Sequence, residues 1–269
     1  MFYALIVLML LLCLYPLLLR GRTGHPGLEV LGKWKYAHRG LHREGIPENS
    51  MAAFRAALDA GYGAELDVHL LKDGGLGIMH DWNLERTTGA QGTMEQLTTQ
   101  ELSNYRLGGT QETIPTLQQV LALFQGKAPL IIELKPGKDN YAQLTQRVCD
   151  VLSQYDGPYC LESFDPRCIR WLRKHRPDLI RGQLSEDFLK KKGGPLPWVL
   201  KFILTYFLEN FWIRPDFIAC EFANRNTWNS RLIRKFWHVQ GVTWTLKSQE
   251  EFDQAVKEGF LPIFEGFRP

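Results

Sequence analysis

Residues 63–74, GAELDVHLLKDG, alternate between apolar and polar positions. Side chains on a strand point to opposite faces in turn, so Ala64, Leu66, Val68 and Leu70 share one face and Glu65, Asp67 and His69 share the other. The pattern predicts a strand with one apolar and one chemical face. Short apolar runs recur at 130–135, 159–164, 179–184, 217–222, 242–246 and 261–267, and KWKYAHRG at 33–40 reads as a strand running into a turn. Between most of them the apolar spacing is helical. In SMAAFRAALDAG, residues 50–61, Met51, Phe54 and Leu58 form one stripe, Ser50 is placed to cap the start and Gly61 to stop the helix. Eight strand-then-helix units predict an α/β fold, a (β/α)8 TIM barrel over residues 34–269 with its chemistry at the strand C-termini. Residues 73–113 are too many for a plain connection, which predicts a small insertion after the second strand, above the barrel mouth.

Composition changes this picture mainly at the N-terminus. Residues 1–19 carry no charge before Arg20, and as a helix they would reach about 28 Å, close to the thickness of a bilayer core. They lack the positive n-region and small-residue cleavage site of a signal peptide. The pattern predicts a transmembrane helix over 1–19 and a linker over 20–33. Because Arg20, Arg22, Lys33 and Lys35 all follow the span, it also predicts a single-pass membrane protein with a cytoplasmic catalytic domain. A second membrane contact is expected from residues 190–213, where Lys190, Lys191 and Lys192 precede a helix whose polar positions are few, Lys201, Thr205, Glu209 and Asn210. A net charge of +3, spread along the chain, gives no nucleic-acid footprint. The five cysteines form no C-x-x-C pair, which argues against a zinc site or disulfide framework and fits a reducing compartment.

Two like charges on a buried face are costly unless a cation lies between them, so Glu65 and Asp67 mark either a metal site or a strand whose polar face meets water. Six motifs bear on the choice: HRG at 38–40, PENS at 47–50, ELDVHLLKDG at 65–74, MHDWNLERTTG at 79–89, IPTL at 114–117 and IIELKP at 131–136. In this order and spacing the chain resembles the glycerophosphodiester phosphodiesterase family over essentially everything after the apolar N-terminus. It departs from the family pattern in its last strand, IFEGFRP, where many members carry a threonine-aspartate turn.

The resemblance implies one divalent cation, Mg²⁺ or Ca²⁺ with Mn²⁺ as a third candidate, held by Glu65, Asp67 and Glu133. Three hard oxygen ligands suit such ions. It implies His38 and His80 as the acid–base pair, Arg39 and Lys135 as holders of phosphate oxygens, and Trp244 as an apolar wall for the glycerol carbons. The implied reaction is attack by glycerol's own 2-hydroxyl on phosphorus, loss of the alcohol, and opening of the cyclic phosphate by water to give glycerol 3-phosphate. Two alternatives remain beside it: the same chemistry on lysophospholipids, releasing lysophosphatidic acid, and an inactive lipid-binding scaffold. A metal-free phospholipase C of the phosphoinositide-cleaving type, which can use an arginine in place of the ion, is opposed by the three carboxylates. Glu48 and Asn49 are expected to brace the first loop, and Asp81 and Arg86 the insertion. His25, His42, His175 and His238 fall outside the motifs and read as ordinary hydrogen-bonding groups.

Overall fold

The computed structural model describes Tyr3, Met9 and residues 14–190 and 196–269. Its strands are β1 (Tyr36–Ala37), β2 (Gly63–Leu70), β3 (Leu76–Ile78), β4 (Leu130–Leu134), β5 (Tyr159–Ser163), β6 (Arg181–Ser185), β7 (Phe217–Glu221), β8 (Gln240–Leu246) and β9 (Phe260–Phe264). All except β3 run parallel to their neighbours, and β1 pairs with both β2 and β9, so eight strands close into a barrel. All eight strands expected from the sequence are present, although the first is only two residues long. The (β/α)8 expectation is met. The ninth strand, β3, is a short antiparallel partner of the outer end of β2, reached through a turn at Gly74, whose φ of 81° suits glycine.

Alternation along each strand sorts the core into two layers. Ile131, Cys160, Phe217, Val242 and Ile263 fill the barrel interior, while Leu66, Val68, Ile132, Leu161 and Phe264 pack outward under the helices. The helix Met51–Asp59 begins as expected, with the Ser50 side chain accepting from the Ala53 amide, and Gly61 at φ 75° ends it. The insertion keeps a small core of its own, including Leu71, Met79, Leu84, Met94, Leu102 and Leu107. This packing holds His80 over the barrel mouth.

Residues 20–33 lie against the barrel. Leu31 is buried in the barrel interior, where its carbonyl accepts from the Tyr36 hydroxyl at 2.9 Å. The Arg22 guanidinium meets the fully buried carboxylate of Asp216 at 2.5 Å and donates to the carbonyls of Pro177 and Leu179. Replacing Arg22 by alanine leaves that carboxylate without its guanidinium, at a cost of about 3 kcal/mol. A melting temperature lowered by roughly 6–12 °C is the expected result, and a thermal scan in which the variant melts with wild type would rule it out.

The transmembrane and localisation expectations are corrected here. Among the described residues no helix is long and apolar enough to cross a membrane, so a single-pass placement is not supported. Most of the expected span, residues 1–13 apart from Tyr3 and Met9, lies outside the described residues. The rest of it, at 14–19, is bound to the barrel's outer layer. Leu19 is completely buried beside Phe207, Ile218 and Ile233, the Tyr15 hydroxyl donates to the Tyr206 carbonyl at 3.1 Å, and Trp237 Nε1 donates to the Pro16 carbonyl at 2.6 Å. These apolar residues find their partner in the protein itself.

The second expected membrane segment is partly described. Lys191 and Lys192 fall outside the described residues. Beyond them, the helix Trp198–Thr205 buries Leu204 and leaves Trp198 68% exposed, while the turn Asn210–Ile213 buries Ile213.

Candidate active site

The loop after β1 is shaped by backbone that few residues tolerate. Arg39 and Asn49 sit at φ 54° and 53°, in the left-handed region, and Gly40 follows at φ 78°. A Cβ on Gly40 would stand 2.8 Å from the main chain of Ala53, so HRG needs its glycine. The turn aims the Arg39 amide at Glu65 Oε2, 3.1 Å away, and the Asn49 side-chain amide donates to Asp67 Oδ2 at 2.8 Å. Glu48 accepts from Arg39 at 2.9 Å and from Arg86 at 2.7 Å, tying this loop to the insertion. PENS therefore holds other site residues in place, as the sequence suggested.

The inward faces of β2 and β4 carry the carboxylates, with Asp67 opposite Glu133 in the register. Among the described residues, Glu65, Asp67 and Glu133 each place an oxygen within 4.8 Å of the others, and all three are buried. Lys135, one residue past β4, reaches Glu133 at 3.1 Å and Asp67 at 3.3 Å. Arg39 Nε lies 3.7 Å from Asp67. Burial, reinforced by Asp67 and Glu133, pushes Glu65 well above the usual carboxylate range, and burial raises Glu133 to about 7 against the pull of Lys135. Asp67 goes the other way, because Lys135, His80 and Arg39 outweigh its burial. The cluster thus holds more acid than its own cations neutralise.

A divalent cation fits this arrangement. The donor set is all hard oxygen, and Asp67 Oδ1 is buried without a hydrogen bond. The opening pattern of carboxylates inside an apolar strand corresponds to these inward-facing groups, so the solvated-strand alternative does not hold for Glu65 and Asp67.

Both expected histidines reach the same mouth. His38, at the end of β1, places Nε2 3.9 Å from Glu65. His80, just after β3, gives Nδ1 to Asp81 at 2.6 Å, and Asp81 is in turn gripped by Arg86 at 2.5 Å. Burial lowers both imidazole pKa values, in opposition to Glu265 at His38 and to Asp67 at His80. His80, Asp81, Trp82, Arg86 and Lys135 line an open cleft of about 550 Å³. Trp244, on β8, is more distant. Its indole packs edge-on against Phe164 at 5.8 Å, and its Nε1 is buried without a hydrogen-bond partner. His69 shares the carboxylate face but is wholly buried and held neutral by burial, with a pKa near 4.

Two acidic residues escaped the sequence reading. Glu162, on β5 directly opposite Glu133, is a fourth buried carboxyl, raised well above its usual range by burial and by Glu133. Its signal was available: a lone glutamate on the face of YCLESF shared with Cys160. Glu265, in the segment that departs from the family pattern, pairs with His38 Nδ1 at 2.5 Å. His42, read as an ordinary hydrogen-bonding group, stands 3.8 Å from the same oxygen.

A closed parallel barrel with acidic, basic and imidazole groups gathered at its C-terminal mouth defines a class of hydrolase acting on charged substrates. Comparison with known proteins narrows it. Residues 38–264 match the model of the glycerophosphoryl diester phosphodiesterase family. A glycerophosphodiester phosphodiesterase of Caldanaerobacter subterraneus is 30% identical over 236 residues, covering 83% of this chain and 89% of the relative. A lysophospholipase D of Rattus norvegicus is 34% identical over 158 residues, covering 54% of this chain and 48% of its own. In fold, the chain is similar to an Oleispira antarctica phosphodiesterase solved with sn-glycerol-3-phosphate, with a TM-score of 0.73 at 22% identity, covering 91% of this chain and 95% of that one. The chain belongs to the glycerophosphoryl diester phosphodiesterase family and is a phosphoric diester hydrolase.

Proposed function

We propose that this enzyme hydrolyses glycerophosphodiesters to glycerol 3-phosphate and an alcohol, with one divalent cation held by Glu65, Asp67 and Glu133. The observation that carries the reading is the convergence of those three buried carboxylates with Lys135, Arg39 and His38 inside 4 Å contacts. When bound, Mg²⁺, Ca²⁺ or Mn²⁺ would supply Lewis-acid stabilisation to a phosphoryl oxygen. Arg39 and Lys135 orient the phosphate through charge-assisted hydrogen bonds, Arg39 as a fork and Lys135 as a point charge. Each catalytic imidazole is held at Nδ1 by a carboxylate, so each presents Nε2 to the substrate. One takes the proton of glycerol's 2-hydroxyl as it attacks phosphorus. The other protonates the departing alcohol oxygen, and the roles reverse when water opens the cyclic phosphate. Trp244 would flank the glycerol carbons. These intact groups favour hydrolysis over an inactive lipid-binding scaffold.

A lipid-bearing substrate is the second reading, and the exposed aromatic row at residues 198–228 supports it. Trp198, Phe202, Tyr206 and Trp228 follow one another at centroid spacings of 5.5, 4.6 and 6.1 Å, with Trp198 and Trp228 mostly exposed. Aromatic side chains with one apolar and one polar edge suit a lipid–water boundary. In this reading residues 196–213 rest on lipid and favour lysophospholipids, releasing lysophosphatidic acid. One phosphorus NMR assay on glycerophosphocholine, glycerophosphoethanolamine and their lysolipids tests both readings. Glycerol 3-phosphate from the first two is expected, and no turnover of any of the four would refute the proposal. Lysolipid turnover unaffected by Trp198→Ser and Phe202→Ser would dismiss the lipid contact alone.

A further inference from the structure

The barrel closes along the seam between β1 and β9, where Ala37 lies opposite Phe264. The next residues on the two strands, His38 and Glu265, are therefore neighbours. The ladder continues into them: the His38 amide donates to the Phe264 carbonyl at 2.9 Å, and the Glu265 amide to the Leu246 carbonyl at 2.9 Å. Tyr36 and Ile263 belong to the barrel interior, so by alternation His38 and Glu265 face the mouth. The backbone register, rather than a chance rotamer, brings carboxylate and imidazole together.

The pairing decides which ring nitrogen is free. Glu265 Oε2 is 2.5 Å from His38 Nδ1, and its other charged neighbour is His42 Nε2 at 3.8 Å. An ionised carboxylate only accepts, so it keeps the neutral ring's hydrogen on Nδ1 and leaves the Nε2 lone pair open. That Nε2 is the atom 3.9 Å from Glu65 Oε2, on the side of the carboxylate cluster. Without Glu265 the ring could carry its hydrogen on either nitrogen and could turn about its χ2 bond.

We propose that Glu265 is a positioning residue for His38, fixing its Nδ1–H tautomer and turning Nε2 toward the reacting phosphate. The inference rests on the reading above that His38 transfers a proton during hydrolysis. It gives the last barrel strand a part in the chemistry although Glu265 touches no substrate atom. It also separates the two imidazoles physically. His80 shares its carboxylate with Arg86, whereas the carboxylate of His38 is shared with a second imidazole.

The test uses the full chain with nitrogen-15-labelled histidine rings, the His38 signals being identified by their loss in His38→Gln. Wild type should show His38 protonated at Nδ1 when neutral. Glu265→Gln, which keeps the side-chain shape, and Glu265→Ala should both move hydrogen onto Nε2. Each should lower kcat by about 10²-fold while KM for glycerophosphocholine changes by less than about threefold, the split expected when proton transfer rather than binding is damaged. An Nδ1–H tautomer that persists in both variants overturns the proposal whatever the rate. A shifted tautomer with wild-type kcat overturns instead the assignment of proton transfer to His38, and removes the catalytic consequence of the pairing.

Discussion

Alanine in place of Glu65, Asp67 or Glu133 is expected to reduce hydrolysis by at least about 10³-fold in each case, equivalent to roughly 4 kcal/mol of lost transition-state stabilisation. The three residues lie on adjacent strands with their oxygens within 4.8 Å of one another, so each is needed to complete a common oxygen cage. The fold should survive at least at Glu65 and Glu133. Burial and mutual repulsion already push both carboxyls upward, so removing either one relieves the crowding. Asp67→Ala is harsher on stability, because Asn49 and Lys135 both lose a partner. Steady-state rates with circular dichroism as the folding control check this. A folded Glu65→Ala enzyme with wild-type kcat would remove the carboxylate cluster from the mechanism.

The second large effect concerns the imidazoles. His38→Ala and His80→Ala should each lower kcat by roughly 10²–10⁴-fold, the usual range for a general acid or base, with a smaller change in KM. Binding falls mainly to Arg39 and Lys135, which neither substitution touches directly. The double variant should lose less than the product of the two single losses, because proton removal and proton donation belong to one coupled step. Wild-type kcat in either single variant would reduce that histidine to a structural group.

Much of this was legible in the sequence because strand chemistry repeats every two residues. Glu65, Asp67 and Glu133 stood out as carboxylates in apolar runs, and the barrel then brought them together as adjacent strands must. Glu265 was not legible. It follows the end of β9, where a glutamate beside glycine looks like a surface turn, and only the register of the seam shows that it faces His38. His42 was passed over for the same reason, since its neighbour comes from the far end of the chain. The N-terminal segment failed differently. An apolar run states that its side chains leave water but not what receives them, and Leu19 and Tyr15 are received by the barrel's outer layer. In the same way, Arg22 read as a charge flanking a membrane span, whereas it serves the buried Asp216.

The central claim is that a divalent cation on Glu65, Asp67 and Glu133 works with His38 and His80 to cut a glycerophosphodiester. Its most direct test is glycerol 3-phosphate release from glycerophosphocholine by the wild-type enzyme, before and after chelation and again after Mg²⁺, Ca²⁺ or Mn²⁺ is restored. The account predicts loss of activity on chelation and recovery with at least one of these ions, while undiminished release by the fully stripped protein would contradict it.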